Sequence, residues 1–128
     1  MTKRIGFVGV GLMGSSLAKH LLAAGFPVTV HDVDPAKVDA IVKAGGTKAS
    51  APDRIAAEVD VIMLSLPSSP VVNDVVNNSL KLFETGRKGL IVIDATTADP
   101  VLSEALAVQL REKGIEMLDA TISGTSDM

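Results

Sequence analysis

The chain has 128 residues, 47% of them apolar, with a formal net charge of −3 and no cysteine. That length suits one domain with a real core. The lack of cysteine excludes disulfides and thiol chemistry and fits a cytoplasmic protein, and no apolar run approaches the roughly 18 residues of a membrane span. Basic residues stand singly and Phe7, Phe26 and Phe83 are the only aromatics, so neither a basic stripe nor a base-stacking platform for nucleic acid is expected.

The first residues lead straight into an apolar run, and no signal-peptide pattern is expected. Ile5–Val8 reads as a buried strand that breaks into Gly9-Val10-Gly11-Leu12-Met13-Gly14, and helical spacing of Leu17, Ala18, Leu21 and Leu22 predicts a helix from Leu12 to Ala24. In a strand-turn-helix that holds a pyrophosphate, the three glycines allow the tight turn, the approach of the phosphates and the close packing of helix on strand. The helix start adds unpaired N–H groups and partial positive charge. A GxGxxG spacing alone is also found in turns without a ligand. Here a strand precedes it, a helix follows, and the second strand, Pro27 to His31, ends in Asp32, where a carboxylate would accept from an adenosine ribose.

Asp34 and Pro35 read as the cap and first residue of a helix to about Ala44. His31, Asp32 and Asp34 fit a strand end and a cap better than a metal site, and no metal is expected. Thr47–Ala49 is a candidate edge strand and Ser50–Pro52 opens a brief helix to about Ala57. Val59–Leu66 reads as a strand buried on both faces, closed by the rigid turn Pro67-Ser68-Ser69-Pro70 and followed by a helix from Val71 to Leu80. Lys88–Ile93 predicts another strand, Pro100–Lys113 a helix capped by Asp99, and Ile115–Leu118 a last strand. Strands alternating with helices predict an α/β, Rossmann-type doubly wound sheet of about six mainly parallel strands, with helices on both faces.

In such sheets ligands sit beyond the carboxyl ends of the strands, where the strand order reverses. The residues just after each strand are the glycine loop, His31-Asp32-Val33, Leu66-Pro67-Ser68, Thr96-Thr97 and Ser123-Gly124-Thr125. Each is an ordinary turn sequence; together they make a rim rich in hydroxyls and backbone donors, suited to a dinucleotide. Asp32 would accept from both ribose hydroxyls of NAD and repel the 2′-phosphate of NADP. Asp34 adds to the repulsion, and Lys37, the only nearby cation, reads as a surface residue of the second helix. NAD is therefore expected over NADP.

The glycine-loop segment Ile5–Gly14 resembles the opening signature of the β-hydroxyacid dehydrogenases, typified by 3-hydroxyisobutyrate dehydrogenase and tartronate semialdehyde reductase. Leu64-Ser65-Leu66-Pro67-Ser68 is similar to the family's Leu-Pro cofactor loop. Asp94-Ala95-Thr96-Thr97-Ala98-Asp99-Pro100 resembles its Asp-Ser-Ser-Thr loop, and Asp119–Thr125 its substrate segment. The resemblance implies that the main chain from Val10 to Met13 surrounds the pyrophosphate, Asp32 takes the ribose, Leu66 and Pro67 line the cofactor, and Thr97 lies on the nicotinamide side. Ser123 and Gly124 would hold a substrate carboxylate. Thr125 stands for the second glycine of Ser-Gly-Gly, Thr121 for a proline, and Val71 for a frequent asparagine. The implied reaction is hydride transfer between nicotinamide and a small hydroxyacid. The family's catalytic lysine is expected on a helical domain beyond Met128, so no catalytic residue is expected in residues 1–128, and a homo-oligomer is expected of the full-length enzyme. The readings that compete are a stand-alone NAD-sensing module without catalysis, which sequence downstream of Met128 would discriminate, and a methyltransferase using S-adenosylmethionine, against which the GxGxxG spacing argues.

Overall fold

Ile5–Val8 forms β1, buried along its whole length, and the chain then alternates helix and strand. The computed structural model describes residues 3–96 and 100–120, with the backbone alone for Leu12, Met13 and Pro100. Next come α1 (Leu12–Ala23), β2 (Val28–His31), α2 (Pro35–Lys43) and a two-residue β3 (Thr47–Lys48). A 3-10 turn at Pro52–Arg54 runs into α3 (Ile55–Glu58), then β4 (Val61–Leu64). After β4, α4 (Ser69–Asp74) continues as a π-helical turn, Val75–Ser79, and a short α5 (Leu82–Thr85) precedes β5 (Ile91–Asp94). The last described elements are α6 (Pro100–Arg111) and β6 (Glu116–Asp119).

All pairings are parallel and the strand order is β3-β2-β1-β4-β5-β6. This is the doubly wound arrangement expected from the sequence, with its reversal point between β1 and β4. Helices α1 and α2 cover one face, where Phe7, Val28 and Val30 pack with Ala18, Val38 and Ile41. Helices α3 to α6 cover the other, where Ile62, Leu64 and Val92 pack with Ile55, Val76, Leu106 and Leu110. Alternating residues of β4 serve the two faces: Ile62 and Leu64 join the second core, while Val61 and Met63 lie against the first.

Element boundaries shift from expectation by one to three residues, and three of the shifts have a plain physical cause. The strand expected over Val59–Leu66 is trimmed to Val61–Leu64, because Val59 ends α3 and the Leu66 amide bonds a side chain instead of a strand. The strand expected over Lys88–Ile93 begins only at Ile91, since Gly89 sits at φ +95° in a turn. The helix expected over Val71–Leu80 starts earlier and widens into the π turn, in which Leu80 N donates to Val75 O at 2.8 Å, five residues back.

At the foot of the sheet, away from the strands' carboxyl ends, Asp60 takes the Arg4 amide at 2.8 Å and its guanidinium at 3.1 Å. Arg87 donates to the Ala56 and Val59 carbonyls at the end of α3 and to Asp60. These bonds join β1, α3 and the approach to β5.

Candidate cofactor site

Register brings the loops together. Val8 pairs with His31 on one side and Leu64 on the other, and Leu64 with Asp94, so Gly9, Asp32, Ser65 and Ala95 follow at one level. Main-chain bonds carry the ladder one step further: Gly9 N to His31 O at 3.0 Å, Ser65 N to Val8 O at 3.2 Å, Ala95 N to Leu64 O at 2.8 Å.

At the reversal point a cleft of about 400 Å³ opens, lined by Val8–Gly11, His31–Val33 and Lys37 on one wall and by Ser65–Pro67, Val71, Val75 and Ser79 on the other. Gly9 has φ +78°, and a Cβ there would meet Leu66 Cδ2 at 2.4 Å and the Ser65 carbonyl oxygen at 2.5 Å. Both conformation and space therefore demand glycine. Gly11 differs: its backbone is extended and suits any residue, while an added Cβ would stand in the gap facing Ser65 Oγ at 3.4 Å. At Gly14 a Cβ would make only ordinary contact with Ser65, at 3.5 Å, so alanine would also pack there.

Helix α1 starts at Leu12 with no side-chain cap, and Ser15 N makes the first α-type bond, to Gly11 O at 2.8 Å. The amides of the opening turn are thus left for an anion. Asp32 Oδ2 accepts from Val10 N at 2.6 Å and Oδ1 from Asp34 N at 2.8 Å. Each oxygen keeps lone-pair capacity for a hydroxyl. Burial pushes the His31 imidazole below its usual range, Asp32 pulls it up and Lys48 pushes it further down. It is therefore neutral at pH 7, and the formal charge lining the cleft comes from Asp32 and Lys37.

The residues fit an extended diphosphate ligand. A gap that a Cβ at residue 11 would fill faces a helix amino terminus, with a carboxylate one strand over. Of the residues singled out in the sequence, Gly9, Val10, Gly11, His31, Asp32, Val33, Leu66 and Pro67 line one cleft. Gly14 is buried beneath it in α1, and only the backbone of Leu12 and Met13 is described. Ser68 is the residue before α4 and is not among the lining residues. Thr97, Ser123, Gly124 and Thr125 lie outside the described residues. Lys37, read as a surface residue, is exposed yet also lines the cleft.

Sequence reasoning passed over Val75 and Ser79, and read Val71 only as standing for the family's asparagine. Their spacing of four was the available signal, a stripe along one helix face. Among the described residues, no three acids or histidines group to hold a metal ion, and no helix is long and apolar enough to cross a membrane.

A glycine-lined gap, a helix amino terminus and a strand-end carboxylate at the reversal point of a parallel sheet define a dinucleotide-binding domain. The chain belongs to the family described as the NAD binding domain of 6-phosphogluconate dehydrogenase, whose model matches residues 4–128. It is 35% identical over 120 residues to mitochondrial 3-hydroxyisobutyrate dehydrogenase of Mus musculus, covering 94% of this chain and 36% of that protein. The chain thus spans little more than a third of such relatives. Among solved structures it is similar to 3-hydroxyisobutyrate dehydrogenase of Mycobacterium tuberculosis with L-serine, at TM-score 0.87 and 27% identity over 97% of this chain and 42% of that one. It is also similar to an imine reductase V8 variant from Myxococcus stipitatus in complex with NAD+, at TM-score 0.83 and 25% identity over 99% and 42%. The imine reductase of that organism is also known with NADP+ and has the same fold.

Proposed function

We propose that this chain is the cofactor-binding part of an NAD-dependent β-hydroxyacid dehydrogenase, inactive by itself. The observation that carries the reading is the Asp32 carboxylate, held 2.6 Å from the Val10 amide at the mouth of the glycine gap. There it can reach a ribose while α1 faces the diphosphate. Bound NAD would supply the hydride acceptor at its nicotinamide; the chain's part is to bind and orient it. Asp32 holds the ribose hydroxyls, the main chain of residues 10–13 the diphosphate, and Leu66 and Pro67 the opposite wall. Thr97 would serve the nicotinamide side, and Ser123, Gly124 and Thr125 the substrate carboxylate. A lysine downstream of Met128 would steady the developing alkoxide. The substrate class is a small 3-hydroxyacid; L-serine, which accompanies the M. tuberculosis relative, is one. The full-length enzyme would be a homo-oligomer working in a reducing compartment such as the cytoplasm.

NAD is favoured over NADP because Asp32 and Asp34 outnumber Lys37 where a 2′-phosphate would fall. The chain has no Trp or Tyr, so NADH fluorescence reads binding without protein background. A saturable enhancement with NADH, at least about tenfold weaker with NADPH, and no turnover of hydroxyacids are expected. An unchanged NADH spectrum at millimolar cofactor would overturn the reading.

A further inference from the structure

The wall opposite the glycine loop is fixed by groups that do not line the cleft. Leu66 has left the β4 ladder, and its amide donates to Thr96 Oγ1 at 3.0 Å, thirty residues along the chain. Thr96 is itself held: its own amide donates to Asp94 Oδ1 at 2.9 Å, an Asx turn closing Asp94-Ala95-Thr96. Both side chains are deeply buried, each residue 2% exposed. The peptide that opens the turn is tied to the strands on both sides, by Ala95 N to Leu64 O at 2.8 Å and by Ala120 N to Asp94 O at 2.9 Å. On its far side Leu66 closes over the glycine loop, so tightly that a Cβ on Gly9 would fall 2.4 Å from its Cδ2.

We propose that Asp94 and Thr96 are positioning residues for the cofactor, which set the Leu66–Pro67 wall against Gly9 and so fix the width of the cleft. The arrangement needs a short hydroxyl rooted at the end of β5, because the Leu66 amide points to the next strand and not to solvent. Threonine supplies the acceptor in a residue only 2% exposed. A buried carboxylate two residues earlier holds that threonine's backbone in place, as a side chain can when the ladder has ended. Burial raises the Asp94 carboxyl above its usual range, and the charge of Asp119 adds to this, while bonds from Thr96 oppose it. The turn needs an acceptor at residue 94, and the carbonyl oxygen of the carboxyl group supplies one in either protonation state.

The inference rests on the NAD reading, and the experiment separates the two. Wild type, Thr96→Ser and Thr96→Val are titrated with NADH, and exchange of the Leu66 amide is followed by NMR. Thr96→Val leaves the amide without its acceptor and is expected to weaken NADH by about tenfold. Thr96→Ser restores the hydroxyl and should return affinity to within about threefold, a rescue that volume loss alone would not give. Slow exchange at Leu66 in wild type reads the same bond without any substitution, should Thr96→Val fail to fold. Wild type that does not bind NADH sinks the function. Wild type that binds, with Thr96→Val equally tight, Thr96→Ser as weak as Thr96→Val, or a Leu66 amide exchanging at loop rates, sinks the positioning role and leaves the function standing.

Discussion

Gly9 and Gly11 sit two residues apart and are glycines for different reasons. At Gly9 a side chain would meet backbone that has nowhere to go, the Ser65 carbonyl at 2.5 Å, in a conformation with φ +78°. Gly9→Ala is expected to cost about 2–4 kcal/mol, read as a lower melting temperature. Gly11→Val should fold, losing about 1 kcal/mol or less at its helix-cap position, and yet fail to bind NADH, because the branched side chain stands where the diphosphate must come. A stable variant with intact affinity would refute that placement. Asp32→Ala should weaken NADH more than NADPH, since it removes an acceptor for the ribose and a charge that repels phosphate; an unchanged preference counts against its role. The glycines and Asp32 were legible because their spacing is local. The bonds that hold them, Val10 to Asp32 and Leu66 to Thr96, join residues 22 and 30 apart, and no short-range pattern announces them.

Among the elements, β1 and β2 match their apolar runs because Gly9 closes the first and Pro27 opens the second. The runs around β4 and β5 overstate the strands, as residues at a helix end or in a rim loop can be as apolar as those in a ladder. Val59 and Leu66 are such cases. The π turn was hidden for another reason: it alters the backbone repeat without changing which residue types face inward. It sets Val75 and Ser79 on the cleft wall. The cap of α2 was legible from Asp34-Pro35, and Asp34 Oδ1 does accept from Ala36 N at 3.0 Å. Asp34→Ala should lower stability by about 1 kcal/mol while sparing NADH affinity, because Asp32 takes only the main-chain amide of residue 34. A variant that loses cofactor and stability together would tie that cap to the site.

For the whole molecule, acid is the informative stress. Hydrogen bonds from the Arg4 side chain and then its amide, with charge from Arg4 and Arg87, hold the Asp60 carboxyl at about 2 against an ordinary 3.8. Since the folded value is the lower, its contribution is complete above 3.8 and disappears as pH falls towards about 2. Asp94 works in the opposite sense: its raised value means that protonation favours the fold and that this contribution fades as pH rises through it. Chemical denaturation at pH 5 and pH 2.5 should show a smaller acid loss in Asp60→Asn than in wild type; equal losses would show that the foot of the sheet plays no part. The opposite edge of the sheet has a separate consequence. With Val10 already fastened to Asp32 and Leu66 to Thr96, the rim is braced ahead of any nucleotide. Little chain entropy then remains to be lost on docking, and arrival should be governed by diffusion, with the main chain of residues 9–11 superimposing before and after.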